Sequence, residues 1–207
     1  MTSDINIPYY RQEHAKTCGL AVLRMVLAFL GEEVSEKDLI LKVKVHSFGT
    51  FSTDFAAIPL TFGYKVVAYT YNLPMISPLG VSFGTKITPE HLERIKSEKH
   101  NRMLLESWEN YLKAGGELVW DYPRTQLLEN NLPGIISVNT AGLNKFYRNV
   151  ENGHYFVVEG VDDKNVFVVD PDPTDGRPKY SIAKSLLLSS WILNAKNASD
   201  YLMVIKK

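Results

Sequence analysis

The 207-residue sequence predicts an α+β fold in which helices come first and an antiparallel sheet follows. Three observations support this class: an apolar, helix-like run begins at Cys18, a charged helical segment fills the middle, and short apolar runs separated by turn residues dominate the last third. Because runs of helices followed by runs of strands are typical of α+β folds, we expect N-terminal helices to pack on a C-terminal sheet.

The N-terminal part contains three predicted helices and one strand. The first helix spans Cys18 to Leu30, is mostly apolar and therefore buried, has Thr17 as its N-cap and ends at Gly31. The second helix opens at Ser35, whose spacing to Asp38 is that of a capping box. The stretches "STDFAAIPLTFG" and "YKVVAYTY" then predict a short helix interrupted at its proline and a strand.

Residues 72–124 differ in texture from their surroundings and are predicted to be a helical insertion. A Pro- and Gly-containing loop comes first, and a charged helix follows from its N-cap at about Thr88 to Ala114, with Pro89 in the first turn. This helix carries too much apolar surface to be solvated on all sides, so one face must pack against something. Packing on its own domain is our preferred interpretation, and a place beside the cleft or in a subunit contact is the alternative.

The C-terminal part supplies most of the predicted sheet. The stretch "TQLLENN" reads as a helix, "PGIISVN" as a buried strand, and "GHYFVVEGV" with "NVFVVDP" as a hairpin that turns near Asp163. A late helix, "AKSLLLSSWIL", and a terminal strand, "YLMVIKK", complete the pattern. Because no repeat, low-complexity tract or clear linker divides the chain, we expect residues 1–207 to form a single domain.

Charge and hydropathy narrow the class of partner. The 23 basic residues balance the 23 acidic ones, so no global field would attract nucleic acid or an anionic membrane. The N-terminus lacks the design of a signal peptide, and no apolar run reaches the roughly 18 residues that span a bilayer. We therefore expect a soluble, cytoplasmic chain that acts on a peptide or protein; the sequence does not indicate its oligomeric state.

Cys18 is the single cysteine of the chain, and it lies where a polar segment becomes the first helix. A lone cysteine is inert packing in most proteins. In the first turn of a helix, however, unpaired backbone N–H groups and the positive end of the helix dipole favour a thiolate over a thiol. The same N–H groups can bind an oxyanion, so this position suits a nucleophile of acyl transfer.

A base for this nucleophile is predicted at His154, which begins an apolar strand just after Gly153. The paired strand ends at Asp170, and a hairpin brings the start of one strand beside the end of the other. We therefore expect Asp170 to accept a hydrogen bond from the His154 imidazole. Together with Cys18, these residues supply a nucleophile, a base and a carboxylate that fixes the orientation of the base.

The other four histidines, His14, His46, His91 and His100, are weaker candidates for a catalytic base. His14 is close to Cys18 in sequence but falls in a predicted loop, whereas His91 and His100 lie on the charged insertion helix. No two histidines have the close spacing of a zinc site, and "DPDPTDG" departs from a calcium loop in its glycine position and its prolines. We therefore expect neither a metal nor another cofactor.

Two stretches resemble the bacteriocin-processing peptidases, papain-like cysteine enzymes that remove double-glycine leader peptides, and their free-standing relatives. The first is "IPYYRQEHAKTCGLAVLRMVLAFLG", with Gln12 six positions before Cys18, and the second is "GHYFVVEGVDDKNVFVVDPDP", with Asp170 sixteen positions after His154. The resemblance implies a papain-like fold in which Cys18, His154 and Asp170 act as nucleophile, base and orienting acid. It also implies that Gln12 helps to form the oxyanion hole.

The chain departs from this family at three points. Thr17 stands where an acidic residue commonly precedes the cysteine, the insertion at 72–124 has no recognised counterpart, and no G-x-x-x-x-G-K-[ST] motif of a fused export ATPase is present. We therefore predict a cysteine peptidase or amide hydrolase without assuming a double-glycine substrate. An acyl transferase that uses the same first half-reaction and a catalytically silent peptide- or protein-binding module are the alternatives.

Overall fold

The computed structural model describes residues 5–70, 99–119, 123–143, 153–173, 176–194 and 201–207. Within them the strands form one seven-stranded sheet in the order β2-β1-β7-β3-β4-β5-β6. The strands are β1 (Lys65–Thr70), β2 (Glu117–Val119), β3 (Gly134–Asn139), β4 (Gly153–Val161), β5 (Asn165–Val169), β6 (Lys179–Ala183) and β7 (Tyr201–Lys206). The predicted α+β class is confirmed.

The sheet is mixed rather than wholly antiparallel. Strand β1 pairs in parallel with β2, whereas β1–β7, β7–β3, β3–β4, β4–β5 and β5–β6 are antiparallel pairs. Strand β2 has only three residues, which are too few to show the alternating pattern that predicts a strand. It lies inside the predicted insertion. A parallel pair needs a long crossover, and the segment between β1 and β2 supplies one.

The helices follow the sequence pattern closely. They are α1 (Cys18–Leu30), α2 (Glu36–Ile40), α3 (Ser52–Leu60), α4 (Lys99–Lys113), α5 (Arg124–Asn130) and α6 (Lys184–Asn194), with a 3-10 turn at Thr140–Leu143. Gly31 ends α1 in the left-handed region, at φ 101°, which glycine adopts readily because it has no Cβ atom. The Ser35 hydroxyl accepts a hydrogen bond from the Asp38 backbone N–H at 3.1 Å, so the predicted cap of α2 is confirmed.

Helices cover both faces of the sheet. Tyr155 and Val157 of β4 belong to a core shared with α1, α3 and α4, whereas Phe156 and Val158 belong to a second core shared with α5 and α6. This division follows from the two-residue period of a strand, which sends successive side chains to opposite faces. The N-terminal helices thus pack on the sheet as expected, and the later helices close its other face. No helix among the described residues combines the length and apolar character of a membrane span.

The described part of the insertion packs on the rest of the chain. The side chains of Trp108 and Tyr111 on α4 are fully buried in the first core. The Trp108 indole donates to the Tyr201 hydroxyl at 3.3 Å, and the Tyr111 hydroxyl donates to the Val66 carbonyl at 2.8 Å. These contacts fit the expectation of a helical extension of the same domain; the predicted start at Thr88 lies outside the described residues.

The hairpin formed by β4 and β5 turns where the sequence indicated. The Asp162 carboxylate accepts hydrogen bonds from the backbone N–H groups of Lys164 and Asn165 at 2.7 and 2.6 Å. Val157 lies opposite Val169, and the register shifts between Val158 and Gly160. This register fixes which residues meet at the end of β5, where the candidate site begins.

Candidate active site

Cys18 is the first residue of α1 and is partly exposed. The backbone reverses just before it, with Lys16 at φ 72°, in the left-handed region that few residues other than glycine adopt. The N–H groups of Leu20 and Ala21 both donate to the Thr17 carbonyl, which starts the helix. The Cys18 N–H is therefore one of the first-turn donors for which a helix supplies no partner.

Thr17 occupies the N-cap position, as predicted, although its side chain makes no capping hydrogen bond. Its buried hydroxyl bonds instead with the Glu36 carboxylate and the His14 carbonyl, each at 2.6 Å. Hydrogen bonds to a carboxylate are stronger than hydrogen bonds to a neutral acceptor. The Thr17 hydroxyl therefore bonds with Glu36 and does not accept from a backbone N–H of α1. The burial of Glu36 against the start of α1 was not predicted from the sequence.

The residue after the cysteine must be glycine. A Cβ atom on Gly19 would lie 2.7 Å from both the Phe55 ring and the Thr50 hydroxyl, closer than such atoms approach one another. The start of α1 is therefore pressed against α3 and the residues that precede it. This close packing holds the first turn of α1, which carries Cys18, against Phe55 and Thr50.

His154 lies at the start of β4, as predicted, and its Nε2 is 2.8 Å from the Asp170 Oδ1. Both side chains are buried, with Asp170 inaccessible to solvent. Since Val157 faces Val169, Asp170 falls opposite Phe156, and His154 reaches it diagonally on the same face of the hairpin. The structure thus brings the two residues together by the hairpin geometry that the sequence indicated.

The Cys18 side chain also interacts with the His154 ring, through a hydrogen bond and through charge. Burial alone would lower the pKa of His154, but the hydrogen bonds to Asp170 and Cys18 and the electrostatic interactions with both groups raise the pKa to about 10. The arrangement therefore favours a protonated His154 ring at neutral pH.

Residues other than His154 also donate hydrogen bonds to Asp170. The Tyr180 hydroxyl on β6 donates to its Oδ2 at 2.8 Å, and the Asp172 backbone N–H donates to its Oδ1 at 2.9 Å. The Phe156 ring contacts both the His154 and Tyr180 rings edge-on, at centroid distances of 5.1 and 6.3 Å. Sequence reasoning missed Tyr180, although strand alternation on β6 is a signal that could have placed its side chain on this face.

Gln12 reaches the same region through its backbone, whose N–H donates to the Pro171 carbonyl at 2.9 Å. Pro171 directly follows Asp170, so the segment that carries Gln12 is fixed beside the buried carboxylate. Upstream, the Ile7 N–H donates to the Glu159 carboxylate at 3.3 Å. The N-terminal segment thus contacts both β4, at Glu159, and the residue that follows Asp170.

Side chains of α1 and α2 hold the loop between Gln12 and Cys18 in place. The Glu13 N–H donates to the second Glu36 carboxylate oxygen at 3.0 Å, and the Glu13 side chain pairs with Arg24 at 2.8 Å. The Arg24 guanidinium also lies 4.0 Å from the centroid of the Tyr10 ring. Glu36 and Arg24 therefore fasten this loop to α1 and α2.

Glu36→Gln tests this support. The buried carboxylate accepts from both the Thr17 hydroxyl and the Glu13 N–H, and an amide would leave one of those donors facing an N–H₂ group. We expect the free energy of unfolding to fall by about 2 kcal/mol, the usual cost of an unsatisfied buried donor, measured by chemical denaturation. Glu33→Gln, at an exposed neighbouring position, is the matched control. Equal stability of the two variants would contradict the role given to Glu36.

The remaining histidines stay apart from this cluster in the described structure. His14 is exposed in the loop before α1, and His46 is bridged to Gly49 and lies 3.9 Å from the Asp54 carboxylate. His100 lies within α4, and His91 is outside the described residues. In the described part of the chain, no group of three or more histidine, cysteine, aspartate or glutamate residues is arranged to hold a metal ion.

Comparison with solved structures reveals the same fold in peptidases. The peptidase domain of Streptococcus ComA, described as a bi-functional ABC transporter of a quorum-sensing pathway, is 14% identical, with a TM-score of 0.54 over 97% of this chain and 98% of that one. A protein described as a C39-like peptidase from Bacillus anthracis is 13% identical, with a TM-score of 0.55 over 98% of this chain and 95% of that one.

A third structure is a double glycine motif protease from an AMS/PCAT transporter in complex with its leader peptide. It is 16% identical, with a TM-score of 0.51 over 100% of this chain and 98% of that one. No curated protein matches the sequence. The profile of the Peptidase_C39 like family, in contrast, matches residues 4–199, almost the whole chain. The chain therefore belongs to the Peptidase_C39 like family.

Proposed function

We propose that the chain is a cysteine peptidase in which Cys18 is the nucleophile, His154 the acid and base, and Asp170 the residue that orients the histidine. The observation that carries the proposal is the continuous line of contacts from Cys18 through the His154 ring to the buried Asp170 carboxylate. A partly exposed thiol at a helix start, a protonatable ring beside it and an acceptor behind the ring are what nucleophilic catalysis requires.

The reaction starts from an ion pair. The raised pKa of His154 favours a protonated ring near neutral pH, and a positive charge beside Cys18 stabilises the thiolate form that attacks the substrate. The thiolate forms a bond to the carbonyl carbon of a peptide, and the carbonyl π electrons move onto oxygen. Collapse of this intermediate breaks the C–N bond as His154 gives its proton to the departing amine.

Hydrolysis of the resulting thioester regenerates the enzyme. The His154 ring, now neutral, takes a proton from a water molecule whose oxygen bonds to the acyl carbon. Collapse of the second intermediate expels the Cys18 thiolate and releases the product as a carboxylic acid. The thiolate and imidazolium are then restored, and no redox partner is needed.

The negatively charged oxygen of each tetrahedral intermediate must be stabilised by hydrogen-bond donors. We assign this role to the Cys18 backbone N–H and the Gln12 side-chain amide. Two observations support the assignment: the N–H belongs to the first turn of α1, and the Gln12 backbone is fixed beside Pro171, one residue from Asp170.

The substrate that these features support is a peptide or protein segment. The AMS/PCAT protease structure holds a leader peptide, which makes a peptide a suitable first substrate for this chain as well. The single thiol and the lack of any possible internal disulfide favour a reducing compartment, so we place the activity in the cytoplasm. The continuous sheet supports the proposal that residues 1–207 form one domain.

Alkylation of Cys18 tests the ion pair directly, because the sole cysteine makes the mass of the whole protein a measure of its modification. We expect iodoacetamide to modify the wild type rapidly at pH 6, since His154 remains protonated there and stabilises the thiolate. In His154→Ala, the rate should instead rise about tenfold per pH unit until the ordinary thiol pKa of about 8.5. Identical profiles would overturn the proposed pair.

A peptide library then tests the reaction class. Cleavage products with a new carboxylate, absent in Cys18→Ala, would show hydrolysis, whereas products joined to an added amine would show acyl transfer. Binding without any product in the wild type would favour a silent binding module.

A further inference from the structure

We propose that Tyr180 is a positioning residue of this site, which acts through Asp170 to hold the His154 ring against Cys18. This inference rests on the proposed cysteine peptidase function, and it adds Tyr180 to the side chains assigned above. The observation behind it is that His154 and Tyr180 bond to opposite oxygens of one buried carboxylate, each at 2.8 Å.

The geometry shows why one donor alone would not fix the carboxylate. The plane of a carboxylate can turn about the bond that joins it to the side chain, and a donor on a single oxygen restrains this rotation weakly. The Asp172 N–H and His154 both bond to Oδ1, whereas the Tyr180 hydroxyl donates to Oδ2. Contacts on both oxygens therefore set the direction of the hydrogen bond to His154.

Strand pairing holds the hydrogen-bond partners of Asp170 in place. Tyr180 on β6 pairs with Val168, two residues before Asp170, and the Asp170 N–H donates to the Pro178 carbonyl at 2.8 Å. Phe156 packs edge-on against both rings that contact the carboxylate. Residues from β4, the end of β5 and β6 thus form a closed arrangement around Asp170.

Other charged and titratable groups lie near Asp170. On the N-terminal segment, Arg11 pairs with Asp172 at 3.6 Å at an exposed position. The pKa of Tyr9 is raised, mainly by burial and further by the charges of Asp170 and Asp172, while the Arg11 charge opposes this rise. A hydrogen bond to a buried charged acceptor is among the stronger kinds, so its loss should be measurable.

Tyr180→Phe removes the hydroxyl and retains the ring that contacts Phe156. With Asp170 able to turn, the His154 ring spends less time against Cys18, and the thiolate is less stabilised. We expect the acid limb of the iodoacetamide profile to move up by about one pH unit, a tenfold loss of rate at any pH on that limb. With a peptide substrate, we expect kcat to fall about tenfold and KM to stay unchanged, because the role proposed for Tyr180 is exerted through Asp170 and not through substrate binding.

The matched control is Tyr64→Phe, which removes a hydroxyl that donates to a different carboxylate, Glu32, at 3.1 Å. That variant should keep the wild-type profile, and unfolding midpoints should verify that both variants are folded. Asp170→Asn separates the two proposals. If Asp170→Asn shifts the profile and Tyr180→Phe does not, the role of Tyr180 is refuted and the peptidase proposal stands; if neither Asp170→Asn nor His154→Ala changes it, the peptidase proposal itself is wrong.

Discussion

Replacement of His154 by alanine is expected to reduce peptide hydrolysis by roughly 10³-fold or more, the size that loss of a catalytic acid and base usually has. The substitution removes both the proton donor to the departing amine and the cation that stabilises the Cys18 thiolate. It also leaves the buried Asp170 carboxylate without its imidazole partner. Initial rates of cleavage at saturating peptide, measured between pH 5 and 9, give the comparison.

His14→Ala is the matched control for this experiment. His14 is the histidine nearest to Cys18 in sequence, but its side chain is exposed in the loop before α1, and only its backbone carbonyl bonds to Thr17. We expect this variant to cleave peptides at the wild-type rate. A His154→Ala protein that keeps its activity, or a His14→Ala protein that loses it, would require a different base.

Gln12→Ala should lower kcat by about 100- to 1000-fold, the usual effect of removing one oxyanion-hole donor. The reason is that the charge on the oxygen develops only after the thiolate has attacked, so the donor acts on the intermediate rather than on the resting enzyme. Alkylation of Cys18, which forms no such oxygen, should therefore be nearly unchanged. Parallel measurement of peptide cleavage and iodoacetamide reactivity separates the two effects.

Gln126→Ala provides the control, since Gln126 is an exposed glutamine on α5. Wild-type turnover in Gln12→Ala would remove Gln12 from the mechanism. Loss of both turnover and alkylation would instead indicate that the substitution disturbs the loop between Gln12 and Cys18, which Glu36 supports.

The elements that the sequence predicted well are those with a local physical cause. Helix α1 is an apolar run between a polar turn and a glycine, and the β4–β5 hairpin has two apolar strands around an aspartate turn. Once these two elements are recognised, the helix start and the ends of the paired strands single out Cys18, His154 and Asp170. The approach of Cys18 to His154 still depends on packing across the whole fold, which spacing alone does not determine.

The features that the sequence did not reveal depend on distant partners. Strand β2 exists because it pairs with β1, and its three residues carry no pattern of their own. Glu36 is buried because two donors from the preceding loop converge on it, although glutamate is rarely buried. Tyr180 acquires its contact with Asp170 from the register of β6, which becomes known only when the sheet is assembled.

The hydrogen bond from Gln12 to Pro171 joins parts of the chain that leave the ribosome at very different times. During synthesis, the Cys18 helix emerges long before His154 at the start of β4 and Asp170 after β5, so a chain that stops short of β4 has the proposed nucleophile without its base. In the proposed mechanism, the site is therefore complete only after most of the described chain has been made and the sheet has closed.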